Sequence, residues 1–284
     1  LRTTPDMPTA LSAASFSRRS DLRRRGWTDR DLARAVVEGR LLRPRAGAYL
    51  RPDAPADVVD ACRLGGRLAC VSELARLGVF VLEHVDLHLH VHEHAAQRKV
   101  AGRSVRRHWS RLRREPHPRS ISVEAFDAVL QAVRCQPARA ALATLDSALH
   151  LAVLRHDDLD ELFRVLPRRH RVLRKLIDSR AESGPETLVR LMLRTLGATF
   201  DIQVDIPGVG RVDFVVDGWL IVECDSKAFH SSWDDQRRDR SRDQQAAARG
   251  YATYRPIAED IMWSPEAVQT ALAGLLQIGG RRRA

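Results

Sequence analysis

Lysine is almost missing from this chain. Of its 47 basic residues only Lys99, Lys175 and Lys227 are lysines, so a lysine that falls beside carboxylates is not part of a general background. Aromatic residues make up 5% against 44% hydrophobic residues, which excludes cores built on stacked rings and leaves Ala, Leu and Val to fill them. Cysteine is sparse: Cys62, Cys70, Cys135 and Cys224 show no CxxC spacing, and the expectation is buried free thiols in a reducing cytosol. No apolar segment approaches the length of a signal peptide or a membrane-spanning helix, which predicts a cytoplasmic protein. The first residue is Leu1 rather than Met, which predicts a trimmed or misassigned start. What the chain holds in excess is arginine. The net charge is +11 and the pI about 10.5, suited to a polyanion such as nucleic acid or an anionic membrane surface, although a GC-rich genome also favours Arg. With 284 residues there is room for two domains.

The stretch from Arg211 to Asp243 carries the chemistry. Val212, Phe214, Val215 and Val216 predict one strand, Asp217-Gly218 a turn, and Trp219 to Val222 a second strand that runs on into Glu223-Cys224-Asp225-Ser226-Lys227. Side chains alternate along a strand, so Glu223, Asp225 and Lys227 share a face. Buried charge is unfavourable unless paired or metal-bound, so this is not packing material. Whether Asp213 joins them is a matter of parity. A two-residue loop at 217–218 sets Asp213 opposite Val222, on the wrong face; a three-residue loop Val216-Asp217-Gly218 restores even parity and places Asp213 diagonal to Glu223. Phosphodiester hydrolysis with a divalent ion needs carboxylates to hold Mg²⁺ (or Mn²⁺), an activated water and a cation to offset developing charge. Asp213 and Glu223, with the Cys224 carbonyl, would supply the ligands; Asp225 would ligate or orient water; Lys227 or His230 would contact phosphate or move a proton. The opposing reading is a solvent-facing strand paired with arginines of the next helix.

The surrounding order reads αβββαβα. Ser183 and Glu186 form a capping box that opens a helix with Leu188, Leu191, Met192 and Leu196 inward. The cap alone accounts for Glu186, yet its place one helix before the acidic hairpin allows a second role. A strand at about 199–206 precedes the hairpin. Asp234 to Gly250 predict a polar helix, Tyr251 to Ile257 a strand, and Ser264 to Ile278 a closing helix. Asp235, Asp239 and Asp243 recur with Arg238 and Arg242 at helical spacing, as exposed ion pairs do.

At the other end, Leu11 to Arg51 read as helix, turn, helix and hairpin. Thr28 caps the second helix, Leu32, Ala35 and Val36 form its stripe, Gly39 ends it, and Leu41 to Leu50 form a two-stranded wing. A helix-turn-helix with a wing places its second helix in a DNA groove. Between Ser17 and Arg51 eleven Arg face Asp21, Asp29, Asp31 and Glu38, which makes Arg23, Arg24, Arg30, Arg34, Arg43 and Arg45 candidate phosphate contacts. The plainer alternative is a small helical domain that its arginines only solvate. In between, Val85 to His94 alternate so that Asp86, His88, His90, His92 and His94 share a strand face; their spacing matches no defined ligand set, and an exposed polar face opposite Leu87, Leu89 and Val91 is the favoured expectation. A strand near Ser104 to His108 could pair with it. Residues 121–178 read as helices, with stripes at Phe126, Val129, Leu130 and Val133 and at Ala141, Leu142, Leu145 and Leu149.

Two resemblances follow from these motifs. DLRRRGWTDRDLARAVVEGRLLRPRAGAYL resembles the N-terminal winged-helix domain of AbiEi-type antitoxins, in which a Gly-Arg-Leu step leads into a wing ending Gly-x-Tyr, here Gly39, Arg40, Leu41, Gly47 and Tyr49. Residues 183–277 resemble the PD-(D/E)XK nuclease superfamily, and more closely the very-short-patch-repair-like endonuclease domain of actinobacterial proteins. The matching residues are Ser183 and Glu186; Arg211, Val212, Asp213 and Phe214; Val222, Glu223, Asp225 and His230; Arg238 with Asp239 or Arg242 with Asp243; and Arg255. That resemblance implies a metal-dependent nuclease site at Glu186, Asp213, Glu223, Asp225 and His230, with Asp239 and Arg255 as further candidates. The chain departs from the pattern in two places: Asp225 stands at the superfamily lysine position counted from Glu223, and Ser226 stands where relatives usually have Gly. The expectation is thus an α/β (α+β overall) protein in three parts: a winged-helix domain at 1–54, a mixed α/β to helical region at 55–178 and a nuclease-like domain at 179–284. Its expected activity is Mg²⁺-dependent DNA cleavage, with DNA, and a cognate toxin or repair protein, as partners. The alternatives are a non-catalytic antitoxin-like regulator or a ribonuclease.

Overall fold

The computed structural model describes residues 14–92, 102–224 and 233–283. It is a mixed α and β chain, with three small sheets among the described residues. The described residues divide into two compact units: one holds those up to Cys135 together with His156–Leu166, the other Gln136–Arg155 and everything from Pro167 onward. Among the described residues no helix is long and apolar enough to cross a membrane.

The first unit opens with β1 (Ser17–Arg18), α1 (Arg19–Arg24), α2 (Asp29–Val37), β2 (Leu42–Arg45) and β3 (Ala48–Leu50), the strands forming an antiparallel sheet in the order β1-β3-β2. Helix α2 starts at Thr28 because Thr28 Oγ1 accepts the Asp31 N–H at 3.2 Å while the Asp31 carboxylate accepts the Thr28 N–H at 3.0 Å. Leu22, Trp27, Leu32, Ala35, Leu41 and Tyr49 close a small core beneath the two helices and the hairpin. The hairpin turns at Gly47, whose φ of +76° is available to glycine without strain.

Next come α3 (Ala56–Leu64), β4 (Arg67–Leu68), α4 (Cys70–Arg76), β5 (Leu87–His90), β6 (Val105–His108) and α5 (Ala125–Cys135). β5 is the central strand, antiparallel to β4 and parallel to β6, so the strand near Ser104 to His108 does pair with the histidine strand. Of the expected exposed polar face only His92, past the end of β5, is exposed among the described residues. His88 is 7% exposed and His90 half-buried, because β5 is covered on both faces. Val58, Ala61 and Leu64 of α3 share a core with Leu87 and Leu89, while Ser72 of α4 and Cys135 of α5 lie against His88. His94 lies outside the described residues.

The chain then supplies α6 (Ala138–His150) to the second unit and returns to the first with α7 (Leu159–Val165). Arg114 holds α7 through Glu161 at 2.7 Å, and Arg134 donates to the Val165 carbonyl at 2.8 Å.

The second unit continues with α8 (Gly184–Thr195), β7 (Phe200–Ile206), β8 (Gly210–Val216), β9 (Leu220–Val222), α9 (Trp233–Ala248), β10 (Ala252–Tyr254), α10 (Ala258–Trp263) and α11 (Pro265–Arg283). From α8 to β10 the order is the αβββαβ read from the sequence. The sheet runs β10-β9-β8-β7, with β10 parallel to β9 across the α9 crossover and the other pairs antiparallel. Two helices close the unit instead of the expected one, because Pro265 cannot continue α10 and begins α11 instead. Helices α6 and α8 pack around a buried ion pair. Asp146 (0% exposed) meets Arg190 (1%) at 2.5 Å and also accepts from Thr187 Oγ1 at 3.0 Å and the Asp178 N–H at 2.9 Å.

Candidate functional site

The acidic hairpin is built from a turn with an odd number of residues. Val216 pairs with Leu220, Val215 with Ile221 and Phe214 with Val222, so the loop is Asp217-Gly218-Trp219. Asp217 (φ +48°) and Gly218 (φ +73°) are both left-handed, and the Trp219 N–H closes on the Val216 carbonyl at 3.1 Å. The loop is one residue later than the Val216-Asp217-Gly218 loop expected from the sequence, with the same parity. Continued one step, this register sets Asp213 directly across from Glu223 rather than diagonal to it. Both share the sheet face of Val215 and Ile221. Asp213 Oδ2 accepts the Cys224 N–H at 2.8 Å, which fixes the carboxylate at the open end of the hairpin.

Glu186 approaches from the first turn of α8. Ser183 caps the helix by accepting the Glu186 N–H at 3.3 Å, but the reciprocal half of the expected box is not made. Glu186 Oε2 instead accepts the Glu182 N–H and the Gln203 side-chain amide, both at 2.9 Å. Glu186 is 6% exposed, so α8 delivers a buried carboxylate toward the sheet. Burial, aided by the neighbouring charges of Glu186, Glu223 and Glu182 and opposed by the Cys224 N–H, raises the Asp213 carboxyl to about 6.

Glu223 is held differently. Arg242 of α9 donates to its Oε1 at 2.8 Å and anchors itself on the Val209 and Arg211 carbonyls, both at 2.9 Å. Arg255, just past β10, donates to Glu223 Oε2 at 2.6 Å and to Asp243 at 2.9 Å. Of the two Arg-Asp pairs read from the sequence, the second is tied to the hairpin, Arg242 directly through Glu223 and Asp243 through Arg255. Asp239 is half-buried and acts on Arg255 only as a further negative charge. Arg211 pairs with Glu182. Asp225, Lys227 and His230 lie outside the described residues. Among the described residues Glu186, Asp213 and Glu223 do not bring three ligand atoms within 4.8 Å of one another.

On α2 and the wing, the six candidate phosphate-binding arginines fall into two groups. Arg23 pairs with Asp29 at 2.6 Å, Arg24 with Asp21 at 2.6 Å and Arg34 with Asp31 at 3.0 Å. Arg30 and Arg43 are exposed and have no partner among the described residues, and Arg45 lies 5.9 Å over the Phe16 ring. Between α2 and the wing runs a groove of about 810 Å³ lined by Arg19, Arg43, Leu32, Ala33, Val36 and Tyr49, among others.

A second cluster escaped the sequence reading. Cys70, His88, His108 and Cys135 bring one ligand atom each within 4.8 Å of one another, and they are the one such group among the described residues. Cys135 Sγ accepts from the Arg106 guanidinium at 3.3 Å, and hydrogen bonds from Cys70 first, then His88 and Arg106, pull its thiol down to about 3. Burial pushes the Cys70 thiol up and the His108 imidazole down to about 4, so that imidazole is neutral at pH 7. No CxxC could reveal this group, because its members come from four elements. The available signal was a cysteine or histidine at the end of three of them.

No family model, no curated protein and no solved structure matches this chain.

Proposed function

We propose that the chain is a metal-dependent nuclease, with the hairpin of the second unit as its cleavage site and the winged helix as its grip on DNA. The observation that carries this reading is the placement of Asp213 opposite Glu223, with the buried Glu186 brought to the same end of the sheet. Asp213 Oδ1 has no partner among the described residues, and its neighbours add negative rather than positive charge. A carboxylate in that position gains from a cation. Asp213 and Glu223, with the Cys224 carbonyl, would hold Mg²⁺ or Mn²⁺, in keeping with the preference of Mg²⁺ for one or two protein carboxylates and several waters. When bound, the ion supplies Lewis-acid charge to the scissile phosphate. Asp213 Oδ1, the oxygen that the Cys224 N–H leaves free, would be the atom that meets the ion. Arg242 and Arg255, now donating to Glu223, would have to exchange those bonds for phosphate oxygens once an ion takes the carboxylate. Asp225, Lys227 and His230 keep the roles read from the sequence.

The pairing of Glu223 with two arginines supports a second reading, an antitoxin-like regulator whose nuclease fold serves only as a binding surface. Purified chain incubated with supercoiled, linear and single-stranded DNA, and with RNA, in Mg²⁺, Mn²⁺ or EDTA separates the two. The nuclease reading expects EDTA-sensitive cleavage that falls about a hundredfold or more in Asp213→Ala and Glu223→Ala. Absence of cleavage on every substrate would favour the regulator, preferential cutting of RNA would make it a ribonuclease, and cleavage indifferent to both substitutions would place the activity elsewhere.

A further inference from the structure

Four side chains in the first unit form a set that the acidic site does not use. Cys70 is the first residue of α4, His88 lies in β5, His108 ends β6 and Cys135 ends α5. His88 Nδ1 lies 3.2 Å from His108 Nε2 and 4.0 Å from Cys135 Sγ, and all four ligand atoms fall within 4.8 Å of one another. Metal–nitrogen bonds of roughly 2.0–2.1 Å and metal–sulfur bonds of about 2.3 Å, directed to tetrahedral corners, put nitrogens about 3.3 Å apart and nitrogen and sulfur about 3.6 Å apart. The His88–His108 and His88–Cys135 spacings lie within a few tenths of an ångström of those values, and the remaining pairs, all within 4.8 Å, need to close by at most about 1 Å, within the reach of side-chain rotation. We propose that Cys70, His88, His108 and Cys135 are the four ligands of a structural zinc ion that ties the α4–α5 helix pair to the β4-β5-β6 sheet.

The donor set selects the ion. Two thiols and two imidazoles without a carboxylate suit Zn²⁺ and not Mg²⁺ or Ca²⁺, and four protein donors leave no open position for a substrate. Two thiolates also balance a dication, so the complex adds no net charge to the interior. The surroundings hold the ligands in place. The Arg106 guanidinium donates to Cys135 Sγ at 3.3 Å, the Cys70 N–H donates to Gln131 Oε1 at 3.1 Å, and the His88 N–H donates to Ser72 Oγ at 2.9 Å. Cys70 takes a φ of +52°, a left-handed conformation that a residue with a side chain adopts only when its setting compels it. A thiol that must point at three partners from the first residue of a helix is such a setting. Without an ion, four buried or half-buried titratable groups rely on one another for hydrogen bonds; one ion satisfies them all. Cys70 and His88 are buried, while Cys135 and His108 line a groove of about 360 Å³ with Arg106 and Trp109, which gives an ion a way in.

The test uses the full chain purified without chelator. Elemental analysis is expected to find one zinc per chain, and exchange into Co²⁺ to give the visible bands of a tetrahedral site with a thiolate-to-metal charge-transfer band. Cys135→Ser and His108→Ala are expected to lose the metal or bind it about a hundredfold or more weakly, while His90→Ala, on the same strand but outside the cluster, keeps it. Because Cys70→Ser could fail to fold, the half-buried His108 is the lead position, and the cobalt spectrum needs no variant. Chelation is expected to lower the melting temperature of the wild type and leave that of His108→Ala unchanged. A folded wild type that carries no zinc and does not respond to added Zn²⁺ would overturn the proposal. So would a Cys70–Cys135 disulfide in the intact mass, or metal retained by both ligand variants. Zinc retained in Asp213→Asn separates this site from the nuclease reading, whose failure would leave it untouched.

Discussion

Asp213 is where stability and the proposed chemistry oppose each other. Its folded pKa of about 6 lies above the ordinary value of 3.8, so the folded chain holds an extra proton between those limits. For this group stability is fully present below pH 3.8 and is lost as pH rises through 6. Asp213→Asn is therefore expected to stabilise the chain by about 1–2 kcal/mol at pH 8, after discounting for partial exposure, and to change nothing near pH 4, while abolishing cleavage. Urea midpoints at the two pH values check this, and equal effects at both would mean that the carboxylate is not destabilised. Asp146 behaves in the opposite way. Its removal strands the Arg190 guanidinium in the interior of the second unit, and Asp146→Ala is expected to cost about 3–5 kcal/mol in denaturant unfolding. The helical stripe of Ala141, Leu142, Leu145 and Leu149 did not reveal this pair, because its acidic half is an ordinary polar residue in one helix and its basic half lies 44 positions later in another.

At the scale of elements, local chemistry made most of the chain readable. The Thr28 cap, the αβββαβ order and the existence of the acidic hairpin all rest on short-range signals that tertiary packing did not override. The exact residues of the loop were less readable. A loop starting at Val216 and one starting at Asp217 have the same parity and similar turn residues, and only the observed register, continued one step, sets Asp213 across from Glu223. The histidine strand misled for a related reason. Alternation places His88 opposite Leu87 and Leu89, but it cannot say that a second layer of helices covers the polar-looking face. Capping in the winged helix gives a direct test. Thr28→Ala removes the acceptor for the Asp31 N–H and is expected to cost about 1 kcal/mol in thermal or urea unfolding. Thr28→Asn, which keeps an acceptor, is expected to recover most of that. A loss that Asn does not restore would mean that Thr28 acts through packing instead.

For the whole molecule, charge and chain path matter most. The +11 net charge is concentrated in the arginines of the winged helix, but several of these are already neutralised by Asp21, Asp29 and Asp31. Of the six candidate phosphate-binding arginines, those without an acidic partner among the described residues are Arg30 and Arg43, with Arg45 beside Phe16. Replacing these three with Gln is expected to weaken DNA binding and to flatten log K against log salt by up to about 0.9 for each phosphate no longer neutralised. An unchanged slope would mean that these arginines do not contact the proposed DNA. The chain path has a consequence of its own. Because 136–155 belongs to the second unit and 156–166 to the first, the backbone passes between the units three times. A single protease nick therefore cannot free either unit whole, and a fragment stopped at Cys135 lacks the α7 segment that Arg114 and Arg134 hold. On the ribosome, the first unit cannot close until Leu166 has left the exit tunnel, by which time part of the second is already waiting in the open.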